Sequence, residues 1–136
     1  MKLLSFNVRG LGGWEKRREI QRLVWERNPF VFCIQETKLQ VIDDFACRSL
    51  WGSETYGFSY RPSLRAAGGI LTLLNSNDVD VQVSTSFENV LTIKGRFIKS
   101  GVAFAIANIF APYDNGGRVH LWERIAALIA NGIGSA

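Results

Sequence analysis

The sequence predicts an α/β fold with parallel strands covered by helices. Two stretches carry that prediction. The first is Phe30 to Ile34, an unbroken apolar run that halts at Gln35-Glu36-Thr37-Lys38. Such a run reads as a strand buried on both faces, as in a parallel sheet under helices. The second is the amino terminus, where Lys2 to Val8 is another short apolar segment with polar groups at Asn7 and Arg9 around its end. One helical segment lies between them, so the three form a right-handed crossover that brings both carboxyl strand ends to one edge of the sheet. Ligands in such sheets sit outside the carboxyl ends. A lone glutamate at a strand end more often does no more than meet solvent. Two strand ends converging make Asn7 and Glu36 candidate catalytic and metal-contacting residues.

Taken in order, Gly10-Leu11-Gly12-Gly13 breaks the first strand, and Trp14 to Arg27 carries Ile20, Leu23 and Val24 at the spacing of one helical face. Its polar side mixes Lys16, Arg17, Arg18, Arg22 and Arg27 with Glu15, Glu19 and Glu26, which is what a solvated helix face looks like. Asn28-Pro29 closes it. Val41 to Trp51 has helical spacing at Ile42, Phe45, Ser49 and Leu50, stops at Gly52, and its aromatics are expected in the core. Tyr56 to Tyr60 alternates as a short strand, 61–69 is a loop, and Ile70 to Leu74 is a buried strand. Asn75 to Asp78 reads as a hairpin turn, followed by Val79, Val81 and Val83 alternating with polar residues, one face buried and one wet. Val90 to Ile98, a turn at Lys99-Ser100-Gly101, and a strongly buried strand from Val102 to Phe110 complete an expected antiparallel meander. A final helix is expected over Arg118 to Ile129, with a flexible tail after it.

Composition narrows the function. The chain has 136 residues, one domain at most, and 47% hydrophobic residues, enough for a real core. A formal net charge of +4 favours polyanionic partners. Cys33 and Cys47 have no metal-site spacing and the single His120 cannot complete a zinc set, so a reduced, intracellular setting is expected. No apolar stretch reaches the length of a membrane span and the start has no signal-peptide core, so no membrane partner is expected. Arg61 and Arg65, with Gly68-Gly69 beside them, offer cations and bare amides, although nothing matches a phosphate-binding P-loop. Glycines at the mouth of a strand more commonly serve backbone geometry or close strand packing.

Leu4-Ser5-Phe6-Asn7-Val8-Arg9-Gly10 and Ile34-Gln35-Glu36-Thr37-Lys38 resemble the first two motifs of the endonuclease/exonuclease/phosphatase superfamily of metal-dependent phosphoesterases. The likeness is nearest to the endonuclease domain of plant non-LTR (LINE-type) retrotransposons, which run Asn-Val-Arg-Gly-Leu-Gly and then Gln-Glu-Thr-Lys. Asn108-Ile109-Phe110-Ala111-Pro112 is similar to the third motif, Asn-x-Tyr-x-Pro, but Phe110 stands where that family usually has a tyrosine that reaches the phosphate. The resemblance implies the amino-terminal lobe of a four-layer α/β sandwich, truncated, with DNA as ancestral substrate, a nuclear setting for a working retroelement endonuclease, and Mg2+, with Mn2+ as a substitute. It implies that Glu36 and Asn7 contact that metal. The net charge and the arginines Arg9, Arg61, Arg65 and Arg118 predict weak, sequence-independent binding of nucleic acid through phosphate contacts.

Hydrolysis of a phosphodiester needs charge stabilisation on the phosphoryl group, a positioned nucleophile and a departing leaving group. The family draws part of this from Gly-Asp-Phe-Asn and from a closing Ser-Asp-His, neither of which occurs in these 136 residues. Asp78, Asp80 and Asp114 sit in expected turns or an exposed strand and take no assigned role. The expected function is therefore a retroelement-type magnesium-dependent endonuclease or phosphodiesterase domain that is not catalytically competent alone and binds metal weakly. The alternatives are a non-catalytic nucleic-acid-binding or structural fragment, and a phosphatase of the same superfamily acting on lipid or inositol phosphates. The second sheet of the sandwich is expected to be mostly absent, so the isolated chain is expected to be aggregation-prone, or to persist only with a partner or a second copy covering the exposed sheet face.

Overall fold

A computed structural model describes residues 2–65 and 67–111. The expected helix from Arg118, with Arg118 and His120, lies outside the described residues, as do Pro112 and Asp114. The described elements run β1 (Leu3–Asn7), α1 (Trp14–Arg27), β2 (Val31–Gln35), α2 (Asp44–Trp51), β3 (Tyr56–Arg61), β4 (Ile70–Asn75), β5 (Val79–Phe87), β6 (Val90–Phe97) and β7 (Ala103–Ile109). They form two sheets, one ordered β1-β2-β4-β3 and one ordered β5-β6-β7.

β1 and β2 are parallel with Asn7 opposite Gln35, as the crossover requires. β4 runs antiparallel to both β2 and β3, so the carboxyl ends of β1, β2 and β3 share one edge with the start of β4. Every residue of β2 is buried, which explains its unbroken apolar run. Phe32, Ile34, Leu71 and Leu73 face the helices and pack with Ile20, Val24, Cys47, Leu50 and Trp51. Val31, Cys33 and Leu74 face the other way, against Val79 and Ile93 of the second sheet. Burying a large aliphatic or aromatic side chain contributes about 1.5–3 kcal/mol, so these two apolar layers fix the order of helices, sheet and sheet.

Several expectations are revised. The strands after Ile70 do not make one meander: β4 belongs to the first sheet, and only β5, β6 and β7 pair in sequence. The turn after Asn75, held by Asn77 N–H donating to Asn75 Oδ1 at 2.9 Å, is a corner between sheets and not a hairpin. Because the second sheet is present, the inner face expected to be bare is covered by the chain itself at Val31, Cys33 and Leu74. The alternation in β5 fails at a register shift between Val81 and Val83, which leaves Val83 half exposed. β7 is half-buried along most of its length, because β6 is its one partner strand among the described residues. In α2 the expected face is displaced: Asp43 caps the helix by accepting from Ala46 N–H at 2.9 Å, so the helical register starts later than the apolar spacing suggested. Cys47, Leu50 and Trp51 form the buried face, and Phe45 is 78% exposed. Among the described residues no helix is long and apolar enough to cross a membrane.

Candidate active site

Asn7, Gln35, Ile70 and Arg61 stand in one row across the first sheet, each the direct partner of the next. The row spans three interstrand spacings, about 14 Å from β1 to β3. Side-chain alternation turns these positions toward the second sheet, since their neighbours Phe6, Ile34, Leu71 and Tyr60 pack on the helical side. Glu36 follows directly, at the first position beyond β2.

The segment after β2 is held from both flanks. Gly10 N–H donates to Glu36 O at 2.8 Å and Leu11 N–H to Thr37 O at 2.9 Å, while Thr37 N–H and Lys38 N–H donate to Gly69 O and Gly68 O at 3.1 and 2.8 Å. Glu36 and Lys38 both adopt left-handed backbone, with φ of 58° and 57°, and Arg9 and Arg65 do the same at 55° and 59°. Non-glycine residues in that region cost of order 1 kcal/mol or more and gather where surrounding structure over-determines them. Four of them lie in the loops of this one edge. Of the glycine pair, Gly69 has the close-packing role and both have the backbone geometry expected of them. A Cβ on Gly69 would overlap Thr37 Oγ1, and the φ of 92° there disfavours any side chain.

Glu36 is nearly buried, with a side chain 8% exposed, and its Oε2 lies 3.6 Å from Lys38 Nζ. Asn7 is exposed, and its Oδ1 accepts from Arg9 N–H at 3.2 Å. Arg61 donates from its guanidinium to Ser86 Oγ at 3.2 Å, bridging the end of β3 to β5. Arg65 occupies the tip of a tight turn closed by Leu64 and Ala67. A cavity of about 560 Å3 opens here, lined by Arg61, Ser63, Gly68, Gly69, Glu88 and Asn89 among others. A larger groove of about 910 Å3 lies elsewhere, between α1 and α2.

Of the sequence-predicted residues, the fold brings Asn7, Arg9, Glu36, Arg61 and Arg65 to one edge, and Arg118 lies outside the described residues. Asp78 falls at the opposite edge, beyond the far end of β4. Phe110 comes to the candidate edge, its N–H donating to Asn89 O at 3.0 Å.

Sequence reasoning missed the polar bridge behind the edge. Gln35 Nε2 donates to Ser5 Oγ at 3.0 Å and to Asn108 Oδ1 at 2.9 Å. Asn108 Nδ2 in turn donates to Leu71 O and to Thr72 Oγ1, both at 3.0 Å. This joins the two sheets one residue from Glu36. The available signal was an asparagine inside the apolar run of β7, which is 1% exposed and must find partners. Glu88, at the β5–β6 turn beside the cavity, was also overlooked. Cys33 lies on the inner face of β2, where burial pushes its thiol up to about 12.

A hard divalent ion such as Mg2+ takes oxygen donors, commonly one or two carboxylates completed by water and substrate oxygens. The Glu36 carboxylate and the Asn7 carbonyl oxygen fit that preference. Among the described residues no cluster of three or more His, Cys, Asp or Glu side chains is placed to hold a metal, so the protein's own donor set here is small.

Neither a family model nor a curated protein matches the sequence. Solved structures do match. An AP endonuclease from Leishmania major superposes with a TM-score of 0.63 at 22% identity, over 93% of this chain and 44% of that one. An endonuclease/exonuclease/phosphatase from Bacteroides vulgatus superposes with a TM-score of 0.69 at 15% identity, over 96% of this chain and 59% of that one. This is the endonuclease/exonuclease/phosphatase fold. D. rerio TDP2, solved with a single-strand DNA product, gives a TM-score of 0.66 at 16% identity, over 96% and 54% of the two chains. The chain thus spans about half the length of these structures.

Proposed function

We propose that the chain supplies the Glu36-bearing part of a divalent-cation-dependent phosphodiester hydrolase acting on DNA, of the retroelement endonuclease type, and that it does not catalyse hydrolysis alone. The observation that carries this reading is the row Asn7–Gln35–Ile70–Arg61, with Glu36 held just beyond it at the edge where β1, β2 and β3 end. Glu36 and Asn7 are the residues that would hold Mg2+. When bound, the ion supplies charge stabilisation on the phosphoryl oxygens.

The chain's own residues then position and neutralise. Arg9, two residues beyond Asn7, and Arg61, at the far end of the row, flank the edge and meet backbone phosphates, and Arg65 extends the cationic strip from its turn. The left-handed backbone at Glu36 directs the carboxylate off the strand axis, and the Gln35–Asn108 bridge fixes its starting point against the second sheet. No Gly-Asp-Phe-Asn or Ser-Asp-His stretch is present to activate water or protonate a leaving group, which supports incompetence in isolation. A retroelement role places the work in the nucleus.

A duplex-DNA titration followed by fluorescence anisotropy, run beside a plasmid-nicking assay in Mg2+, tests the reading. Three arginine contacts predict a log–log salt slope of about −3. Arg9→Ala and Arg61→Ala are each expected to reduce that slope by about 1, with no nicking by any form. A salt-insensitive affinity, or binding that survives both changes and is lost on altering α1, overturns the DNA-facing edge. Nicking by the wild type that disappears in Glu36→Gln overturns the incompetence.

A further inference from the structure

We propose that Lys38 is an internal counter-ion which a divalent cation must displace from Glu36, so that metal binding at this edge is an exchange of one cation for another. The proposal rests on the reading of Glu36 as the metal contact and adds what occupies that carboxylate beforehand. Glu36 and Lys38 form an ion pair at 3.6 Å with unequal exposure, 8% for the glutamate side chain and 45% for the lysine. The carboxylate is the fixed partner and the ammonium the movable one.

A carboxylate removed from water is costly unless a positive charge stays near it. Lys38 provides that charge, and it reaches inward because its stem runs over the backbone at Gly10, where an added Cβ would lie 3.7 Å from Lys38 Cδ. The main chain on both sides is pinned, with Glu36 O accepting from Gly10 N–H and Lys38 N–H donating to Gly68 O, both at 2.8 Å. Neither Cα has to move for the exchange. Rotation about the lysine's four-carbon stem withdraws the ammonium to solvent, and repulsion between a divalent ion and an ammonium on one carboxylate group enforces the choice.

The lysine therefore lowers apparent metal affinity. Competition of this kind has a sign opposite to that of a lysine that merely orders the site. Free Mn2+ is counted by electron paramagnetic resonance at constant ionic strength during titration into wild type, Lys38→Met, Lys38→Arg and Glu36→Gln. Lys38→Met is expected to bind Mn2+ roughly 3- to 10-fold more tightly than wild type, Lys38→Arg about as wild type, and Glu36→Gln to lose the site. If Lys38→Met binds equally or more weakly while Glu36→Gln loses binding, the exchange is wrong and the metal site stands. If Glu36→Gln binds as wild type does, the metal reading itself fails and takes the exchange with it. Should Lys38→Met not fold, the Lys38 side-chain resonance of the wild type is followed by NMR during Mg2+ titration. A shift toward that of a free lysine supports displacement, and an unmoved resonance at saturation overturns it.

Discussion

Replacing Gly69 by alanine tests whether that glycine admits the close approach of the Glu36 segment by steric necessity. Two costs add. The φ of 92° places any L side chain in left-handed backbone, worth about 1–2 kcal/mol. The new Cβ also overlaps Thr37 Oγ1 and lies 3.3 Å from Lys38 N, so the segment has to shift against neighbours held by backbone hydrogen bonds. Overpacking of that kind costs about 1–3 kcal/mol. Gly68 is the internal control, because its φ of 75° carries the backbone cost while nothing lies within 4 Å of an added Cβ. Gly69→Ala should therefore be less stable than Gly68→Ala by about 1–3 kcal/mol, or roughly 4–12 °C in Tm. Urea and thermal denaturation measure the difference, and amide shifts of residues 36–38 should move in Gly69→Ala and stay in Gly68→Ala. Equal stabilities and unmoved amides would refute the close approach.

Asn108→Ala removes a side chain that joins Gln35, Leu71 and Thr72 in the interior, leaving their polar groups short of a partner. A loss of about 2–4 kcal/mol in chemical denaturation is expected, with Asn108→Leu no better, since the bridge and not the volume is at stake. Cys33 and Cys47 are both free and buried, with thiols pushed up to about 12, by burial in Cys33 and by burial together with Asp44 and Asp43 in Cys47. The thiolate is the reactive form, so both should resist a thiol reagent at pH 8 and react together only in denaturant; rapid labelling of the native protein contradicts their burial.

The fold was legible where sequence pattern and burial coincide. The apolar run of β2 and the Ile20–Val24 spacing of α1 announced a crossover, and the two strand ends announced an edge. Legibility failed where partners are distant in sequence. Nothing local distinguishes a turn that pairs two strands from one that carries the chain to another sheet, and Asn75 to Asp78 proved to be the second kind. The apolar spacing around α2 misled because Asp43, and not the spacing, sets where the helix begins. At the site, Asn7 and Glu36 could be named from their strand ends, but the Gln35–Asn108 bridge pairs residues 73 positions apart and needed the second sheet to be seen. The Lys38 pair was hidden for another reason: Glu36 and Lys38 lie beyond the end of β2, where the left-handed turns at both residues, and not the alternation of a strand, decide where their side chains go.

The central claim, that Glu36 and Asn7 at the shared strand edge hold a divalent cation, is tested most directly by mapping Mn2+-induced broadening of backbone amides. Residues 7–10, 35–38 and 68–70 should broaden first and together, and Glu36→Gln should abolish the effect there while the fold is retained. Identical broadening in Glu36→Gln, or broadening centred on Asp43 and Asp44 at the start of α2, would contradict the account.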